Sequence, residues 1–95
     1  MKAYVIAIET VHDEATFGEY RKEVLATLAP FEAKFIARGG KYTVLEGKWE
    51  HPRTVIIEFP NREAAEAWYK SSEYQKIIAL RHKSSTGNLV ILDGT

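Results

Sequence analysis

The sequence contains no cysteine. Disulfide bonds, thiolate nucleophiles, iron–sulfur clusters and Cys-ligated zinc are therefore excluded. Secreted domains of this size often carry disulfides, so their absence favours a reducing compartment, and we expect a cytoplasmic protein. The apolar run that opens the chain ends at Glu9. It is too short for a transmembrane helix and lacks a signal-peptide cleavage pattern, so no membrane partner is predicted.

The chain also lacks an excess of either charge, because 13 Lys and Arg balance 13 Asp and Glu. A nucleic-acid-binding domain needs a basic excess on one face, so no nucleic-acid partner is predicted. A helical His-x-x-x-His pair and zinc-ligand spacings are absent too, and we predict no metal and no cofactor. Without linkers or repeats, residues 1–95 are expected to form one domain.

The apolar residues that are present predict four strands and two helical regions in the order β-α-β-β-α-β. The predicted strands are residues 3–9, 41–46, 53–59 and 88–92. Two right-handed split crossovers around a central hairpin give a ferredoxin-like α+β domain. Its antiparallel four-stranded sheet has the order 4-1-3-2, with both helical regions on one face.

The first helical region is predicted to begin after Asp13, a helix-capping residue, and to end at Gly39-Gly40. Its apolar stripe consists of Phe17, Tyr20, Val24, Leu28, Phe31 and Phe35. Pro30 removes one helical hydrogen bond and crowds the preceding turn, so a kink or restart is expected near residue 29.

The second helical region is predicted to follow Pro60-Asn61, with Asn61 as its cap. Ser71-Ser72 interrupts its pattern. Because Ser72 and Gln75 have capping-box spacing, a further helical segment is expected to begin there.

Three of the predicted strands are apolar on both faces. In the first strand, Tyr4, Ile6 and Ile8 alternate with Val5 and Ala7. The strands at 53–59 and 88–92 show the same property. The helices can cover only one face, and a bare apolar sheet of this size is unfavourable in water. We therefore expect a homodimer, sheet against sheet about a two-fold axis.

Several segments of the sequence form a pattern typical of one family. They are Arg38-Gly39-Gly40, Leu45-Glu46-Gly47-Lys48-Trp49, Val55-Ile56-Ile57-Glu58-Phe59-Pro60, Ala67-Trp68-Tyr69 and Ser72-Glu73-Tyr74-Gln75. Together they resemble a bacterial family of domains of unknown function, the one numbered 1330, over nearly the whole chain. That family resembles the dimeric α+β barrel superfamily, which implies the same fold and a homodimer. The superfamily looks like a mixture of cofactor-free monooxygenases, haem-degrading enzymes, lactone isomerases and ligand-sensing domains, so fold alone implies no single reaction.

The predicted topology brings several polar residues to one end of the domain, which we call the upper end. They are Glu9, His12, Trp49, His51, Arg53, Arg81 and His82. Histidine suits proton transfer near neutral pH and binds metals or haem iron, and an arginine can hold an anionic substrate. His51 is the histidine that we select as a candidate catalytic residue, and solvated loop histidines are the alternative interpretation.

Glu58 is the second candidate catalytic residue, because it lies between Ile57 and Phe59 in a very apolar strand. Burial would raise the pKa of its carboxyl group toward the range useful for acid–base catalysis. The alternatives are a salt bridge to an arginine such as Arg38, or an outward position at the strand end.

Aromatic side chains on the two helical regions predict a pocket between helices and sheet that would suit a flat apolar ligand with a polar group. The predicted pocket residues are Tyr20, Arg38, Trp49, Trp68, Tyr69 and Arg81. The alternative is that the aromatic stripe is simply core.

Three functions are compatible with the sequence. The first is a cofactor-independent monooxygenase or isomerase that acts on a small aromatic or carbonyl compound. The second is a non-catalytic homodimer, ligand-binding or stress-associated, and the third is a haem-binding or haem-degrading protein.

Overall fold

The computed structural model describes all of residues 1–95, in which a four-stranded antiparallel sheet is combined with three helices. The strands are β1 (Ala3–Val11), β2 (Lys34–Arg38), β3 (Arg53–Phe59) and β4 (Ser85–Asp93). The helices are α1 (Glu14–Leu28), α2 (Arg62–Lys70) and α3 (Ser72–Ser84). The sheet order β2-β3-β1-β4 is the predicted order read from the opposite edge. None of the helices combines the length and apolar character needed to cross a lipid bilayer.

The two faces of the sheet differ in how well they are covered. Ala3, Val5 and Ala7 of β1 are buried beneath the helices, as are the β3 residues that share their face. The opposite face, which we call the open face, carries Tyr4, Ile6, Ile8, Ile56, Val90 and Leu92. Val90 and Leu92 remain 52% and 55% exposed in the single chain. The predicted apolar character of both faces is confirmed.

The core between helices and sheet is rich in aromatic rings. Trp68 of α2 and Tyr74 of α3 are fully buried, with ring centroids 4.2 Å apart. The indole Nε1 of Trp68 donates a hydrogen bond to Thr27 Oγ1 at 3.0 Å, which satisfies its polar group inside the core. Burying side chains of this size stabilises the fold by roughly 1.5–3 kcal/mol each.

The first helix is shorter than predicted, and this moves the second strand. α1 ends at Leu28, and a 3₁₀ turn over Ala29–Phe31 follows, with Pro30 in its first turn. Glu32 then takes a left-handed conformation, with φ of 55°, so the chain reverses without a glycine. β2 therefore occupies Lys34–Arg38, and the predictions of a helix up to Gly39-Gly40 and a strand at 41–46 were wrong.

Residues 39–52 connect β2 to β3 and are called the arm here. Residues 41–50 of the arm are exposed, including the apolar side chains of Val44 and Leu45. Two hydrogen bonds fix the end of the arm to the sheet: Trp49 Nε1 donates to Thr54 Oγ1 at 2.8 Å, and the His51 ring lies 2.9 Å from Thr10 Oγ1.

The predicted caps are largely confirmed. Asp13 accepts from the Thr16 backbone N–H at 3.1 Å, and Asn61 accepts from that of Ala64 at 2.8 Å. The second helical region breaks where expected, but the residue that caps α3 is Ser71 rather than Ser72. Gln75 makes no capping box, since its side chain donates to the Tyr69 carbonyl.

Candidate functional site

A buried carboxylate and two arginines mark the upper end of the helix–sheet layer. Alternation along β1 turns Glu9 toward the helices, where it is 2% exposed. Arg81 of α3 donates from Nε to Glu9 Oε2 at 2.7 Å, and Arg53 Nε lies 3.6 Å from Glu9 Oε1. The three residues lie at the same end of the domain, as the predicted topology indicated. The arginines supply the charge that a buried carboxylate needs.

Arg53, the first residue of β3, is less completely paired than Arg81. Its Nε is shielded from solvent and makes no hydrogen bond. Its guanidinium lies 5.2 Å from the ring centroid of Phe17, within cation–π range. Gly39 leaves room for this guanidinium, because a side-chain carbon at that position would collide with it. Gly39 also has a φ of 71°, which favours glycine.

The pKa of the Arg53 guanidinium is lowered. Burial is the main cause, because it disfavours the charged form. The negative charge of Glu9 opposes this effect, whereas the positive charges of Arg21 and Arg38 add to it. Arg53 is therefore a partly buried guanidinium that has both carboxylates and other guanidinium groups near it.

Above this cluster lies a cleft of about 510 Å³, which we call the arginine cleft. The end of β1, the start of α1 and the arm form its walls. The side chains that matter for its chemistry are Glu9, Glu14, Phe17, Arg21, Tyr42 and Arg53. Aromatic rings together with guanidinium groups suit a small organic anion.

The interior below the arginine cleft is nearly filled. A cavity of about 30 Å³ is lined by three of the predicted pocket residues, Tyr20, Arg38 and Trp68, together with Glu9 and Arg53. Its volume suits about one water molecule and no aromatic ligand. Tyr20 and Trp68 belong to the core, which agrees with the alternative interpretation of the aromatic stripe. The usable space lies at the upper end.

Tyr20 and Tyr74 pair with each other inside the core. Their hydroxyl oxygens are 3.0 Å apart. Burial raises the pKa of Tyr20, and the nearby Tyr74 raises it further. Burial likewise raises the pKa of Tyr74, against the lowering effect of its hydrogen bond with Tyr20. Both phenols thus stay protonated near neutral pH and cannot serve as bases there.

The two predicted catalytic residues lie apart from one another. Glu58 sits on the open face, where Lys2 and Lys34 each place an ammonium nitrogen 3.4 Å from its carboxylate. His51 is on the arm, at the opposite end of β3. Partial burial favours a higher pKa for Glu58, but the hydrogen bond and charge of Lys34 and the charge of Lys2 outweigh it and lower the pKa. The expected rise in pKa was therefore wrong. Of the two alternatives, the outward position agrees with the structure, and the ion pairs are made with lysines rather than with Arg38.

The other predicted site residues are scattered. Trp49 is 46% exposed on the arm, and Tyr69 lines a separate apolar groove of about 270 Å³ between α2 and β4. None of the three histidines lines the arginine cleft. No group of His, Asp and Glu side chains forms a metal site.

Sequence reasoning missed several residues of the arginine cleft. Phe17 and Arg21 lie four residues apart on α1, so they share one helix face beside the helix N-terminus. This spacing was a usable signal. Tyr42 could not be placed, because the arm that carries it was predicted as a strand.

The comparisons with known proteins agree with this fold. A family model described as "Domain of unknown function (DUF1330)" matches residues 2–95. The chain belongs to the DUF1330 family. The resemblance inferred from sequence segments is thereby confirmed. A search of curated proteins finds no match to this DUF1330 chain.

Solved structures with the same fold include a protein of unknown function from Rhodopseudomonas palustris. It has 12% identity and a TM-score of 0.79 over 99% of this chain and 82% of its own. A dimeric ferredoxin-like protein of unknown function from Jannaschia has 17% identity and a TM-score of 0.68, over 99% of this chain and 100% of its own. SnoaB from Streptomyces nogalater, a cofactor-independent oxygenase, has 12% identity and a TM-score of 0.66, over 99% of this chain and 93% of its own. These identities support a shared fold only.

Proposed function

We propose that this DUF1330 protein is a homodimer whose protomers each bind the anion of a small aromatic or carbonyl compound in the arginine cleft. The protein then converts that compound by cofactor-independent oxygenation or isomerisation. The observation that carries the proposal is Arg53, a partly desolvated guanidinium at the base of the cleft whose terminal nitrogens make no hydrogen bond within the chain.

Arg53 is suited to hold an anion because its surroundings satisfy it incompletely. The Nε atom is 3.6 Å from the carboxylate of Glu9, which is ion-pair distance but too long for a hydrogen bond. The terminal nitrogens of the guanidinium are the ones that can donate to a ligand oxygen. In this partly desolvated setting, such a charge-assisted hydrogen bond is stronger than it would be in water. Phe17 is buried beneath the guanidinium and holds it in place by a cation–π contact.

Stabilisation of an anion is the chemistry that both proposed reactions require. An oxygenase without a cofactor must take electrons from its substrate, and the deprotonated enol or phenol is the electron-rich form. Isomerisation of a carbonyl compound also passes through an enolate. Guanidinium groups lower the pKa of a bound enol or phenol and stabilise the charge that develops. The fold similarity to SnoaB supports the oxygenase class.

Glu14 is the proposed proton acceptor. It lines the arginine cleft in the first turn of α1 and makes no ion pair, unlike the buried Glu9. Glu9 is committed to Arg81, and Tyr20 keeps its proton, so neither is available to accept one. An exposed carboxylate beside the ligand can move the proton to solvent.

The experiment is oxygen consumption and product analysis with a panel of enolisable aromatic ketones and phenols. We expect turnover by the unaltered protein and a loss of at least about a hundredfold in Arg53→Met, the scale seen when an oxyanion-stabilising donor is removed. Arg62→Met is the matched control, because Arg62 lies outside the cleft and is paired with Asp93. Turnover that survives in Arg53→Met would contradict the proposed role of the cleft.

The open face supports the homodimer. Ile6, Ile56 and Val90 form an apolar surface that no segment of the chain covers, and a dimeric ferredoxin-like protein shares the fold. We expect Val90→Glu to yield monomers in analytical ultracentrifugation. The matched control, Leu25→Glu, alters a similarly exposed leucine on α1 and should stay dimeric. A Val90→Glu dimer as tight as the original would refute assembly through this face.

A non-catalytic ligand-binding dimer is the second candidate. It is favoured by the pairing of interior polar groups with one another, as in Tyr20 with Tyr74 and Glu9 with Arg81. This candidate predicts ligand-induced increases in melting temperature with no conversion of any bound compound. Detection of a product would rule it out.

A further inference from the structure

A second cavity lies beside the arginine cleft and has a different lining. Its volume is about 440 Å³, and its lining residues are Gly18, Arg21, Lys22, Arg38 and Arg53. We call it the cation cavity. It shares Arg21 and Arg53 with the arginine cleft, so one ligand can reach both. No acidic side chain lines it.

Three of its four cationic side chains have no carboxylate partner. The six ion pairs of the chain involve neither Arg21 nor Lys22 nor Arg38. Like charges in one cavity repel, and that repulsion is relieved when an anion binds among them.

Arg38 is held in position without being neutralised. Its guanidinium lies 4.1 Å from the ring centroid of Phe35 and donates to the Arg21 backbone carbonyl at 3.3 Å. A carbonyl uses only part of the donor capacity of a guanidinium, which carries five N–H groups. The remaining donors are available to an oxyanion, for which the planar fork is well suited.

Gly18 is an independent sign that this space is kept open. It lies inside α1, where glycine is less favourable than alanine. No positive φ requires it, and a Cβ at this position would meet nothing within 4 Å. The fold therefore has no need of a glycine here. Because Gly18 lines the cation cavity, the missing side chain enlarges the space between the cations.

We propose that the cation cavity binds a dianionic oxyanion group, as a phosphoryl group or a dicarboxylate presents, on the ligand whose ring or carbonyl occupies the arginine cleft. This inference rests on the proposed function and narrows its substrate class. A group with two negative charges matches a space surrounded by arginines and a lysine better than a single carboxylate does. Binding should weaken as salt screens the charges.

The test uses inorganic phosphate, malonate and acetate as probes in isothermal titration calorimetry at constant ionic strength. We expect phosphate and malonate to bind to the unaltered protein and acetate to bind at least about tenfold more weakly, since one charge-assisted contact is worth about that factor. Equal binding of all three probes, or none, would overturn the proposal.

Two pairs of variants locate the binding. Gly18→Leu fills the cavity, and Ala26→Leu is its control at an exposed position of the same helix. Arg38→Gln removes a donor, and Arg62→Gln removes an arginine outside the cavity. We expect both cavity variants to lose phosphate binding by about tenfold or more and both controls to keep it. Unchanged phosphate binding in the cavity variants would overturn the proposal.

Gly18→Ala separates a ligand-based explanation from a structural one. A methyl group has space in the unliganded protein, so this variant should melt at a higher temperature while it binds phosphate more weakly. Unweakened phosphate binding in this variant would count against the proposal. Failure of the enzyme hypothesis is distinguishable: phosphate would bind at the cation cavity while no compound of the ketone and phenol panel is converted.

Discussion

Two sets of arginines in this small protein differ in their partners. Arg62 and Arg81 each place Nε 2.7 Å from a carboxylate oxygen, of Asp93 and Glu9 respectively. Arg21 and Arg38 have no carboxylate partner, and both line the cation cavity. The paired arginines therefore serve the fold, whereas the unpaired ones surround the space that we propose as a ligand site.

Arg53 belongs partly to both sets. It approaches Glu9 at 3.6 Å, and it lines the arginine cleft as well as the cation cavity. Its position at the start of β3 is fixed by the register that places it opposite Glu9 of β1. This residue therefore links the structural ion pair to the proposed ligand site.

The largest loss of stability is expected when an ion pair of a paired arginine is broken. Arg81→Leu leaves the buried carboxylate of Glu9 with only the longer contact to Arg53. Removing one partner of a buried ion pair typically lowers the free energy of unfolding by about 3–5 kcal/mol. Urea unfolding at a fixed protomer concentration measures it. If Arg81→Leu loses as little unfolding free energy as Arg62→Leu, whose ion pair is exposed, then burial does not make the Glu9–Arg81 pair more important for stability.

A smaller effect, of opposite sign, is expected at the cation cavity. Gly18→Ala should raise the free energy of unfolding by about 0.5–1 kcal/mol, because alanine is the better helix former and meets no obstruction. Thermal and urea unfolding of the unliganded protein measure it. Destabilisation by this substitution would show that glycine is needed for the fold itself, contrary to the interpretation given above.

The arginines without a carboxylate partner should contribute little to stability. Arg38→Gln removes one carbonyl hydrogen bond and the contact with Phe35, but it also relieves repulsion from the neighbouring cations. We expect the free energy of unfolding to change by less than about 0.5 kcal/mol. Urea unfolding at low and high salt tests this. A loss of unfolding free energy comparable to that of Arg81→Leu would show that Arg38, like the paired arginines, serves the fold.

The smallest effect is expected at a paired carboxylate on the open face. The pKa of Glu58 is lowered in the folded protein, so its contribution to stability is present above the unfolded pKa. That contribution is lost as pH falls through the folded pKa. Glu58→Gln should therefore flatten the decline in melting temperature below about pH 4.5, the ordinary value for this group. If Glu58→Gln leaves the pH dependence of the melting temperature unaltered, the ion pairs of Glu58 with Lys2 and Lys34 do not contribute to stability.

Glu58→Gln also tests the catalytic role that the sequence suggested. The side chain lies on the face opposite the arginine cleft, so we expect turnover and phosphate binding to stay unchanged. A loss of turnover without unfolding would restore the original hypothesis.

The fold was largely predictable because alternation is a strong signal in strands with two apolar faces. β1 and β3 were placed nearly to the residue, and the position of Glu9, Arg53 and Arg81 at one end of the domain followed from topology alone. β2 was not placed, since Phe35 continues the helical period of Leu28 and Phe31 although it lies in a strand.

The end of α1 carried a misleading signal. Glycine usually marks a left-handed helix end, but here Glu32 adopts that conformation. Gly39-Gly40 instead follow β2, where Gly39 makes room for Arg53. The candidate site was only partly predictable for the same reason. The cation cavity depends on the position of β2, whose last residue, Arg38, lies beside α1.

The most direct test of the central claim is NMR of the arginine side chains, in which the Nε–H signals of paired and unpaired arginines are observed together as inorganic phosphate is added. We expect saturable shifts for Arg21, Arg38 and Arg53, with little change for Arg62 and Arg81. Gly18→Leu should abolish those shifts. Equal movement of all five signals, or no movement of any, would contradict anion binding among the unpaired arginines.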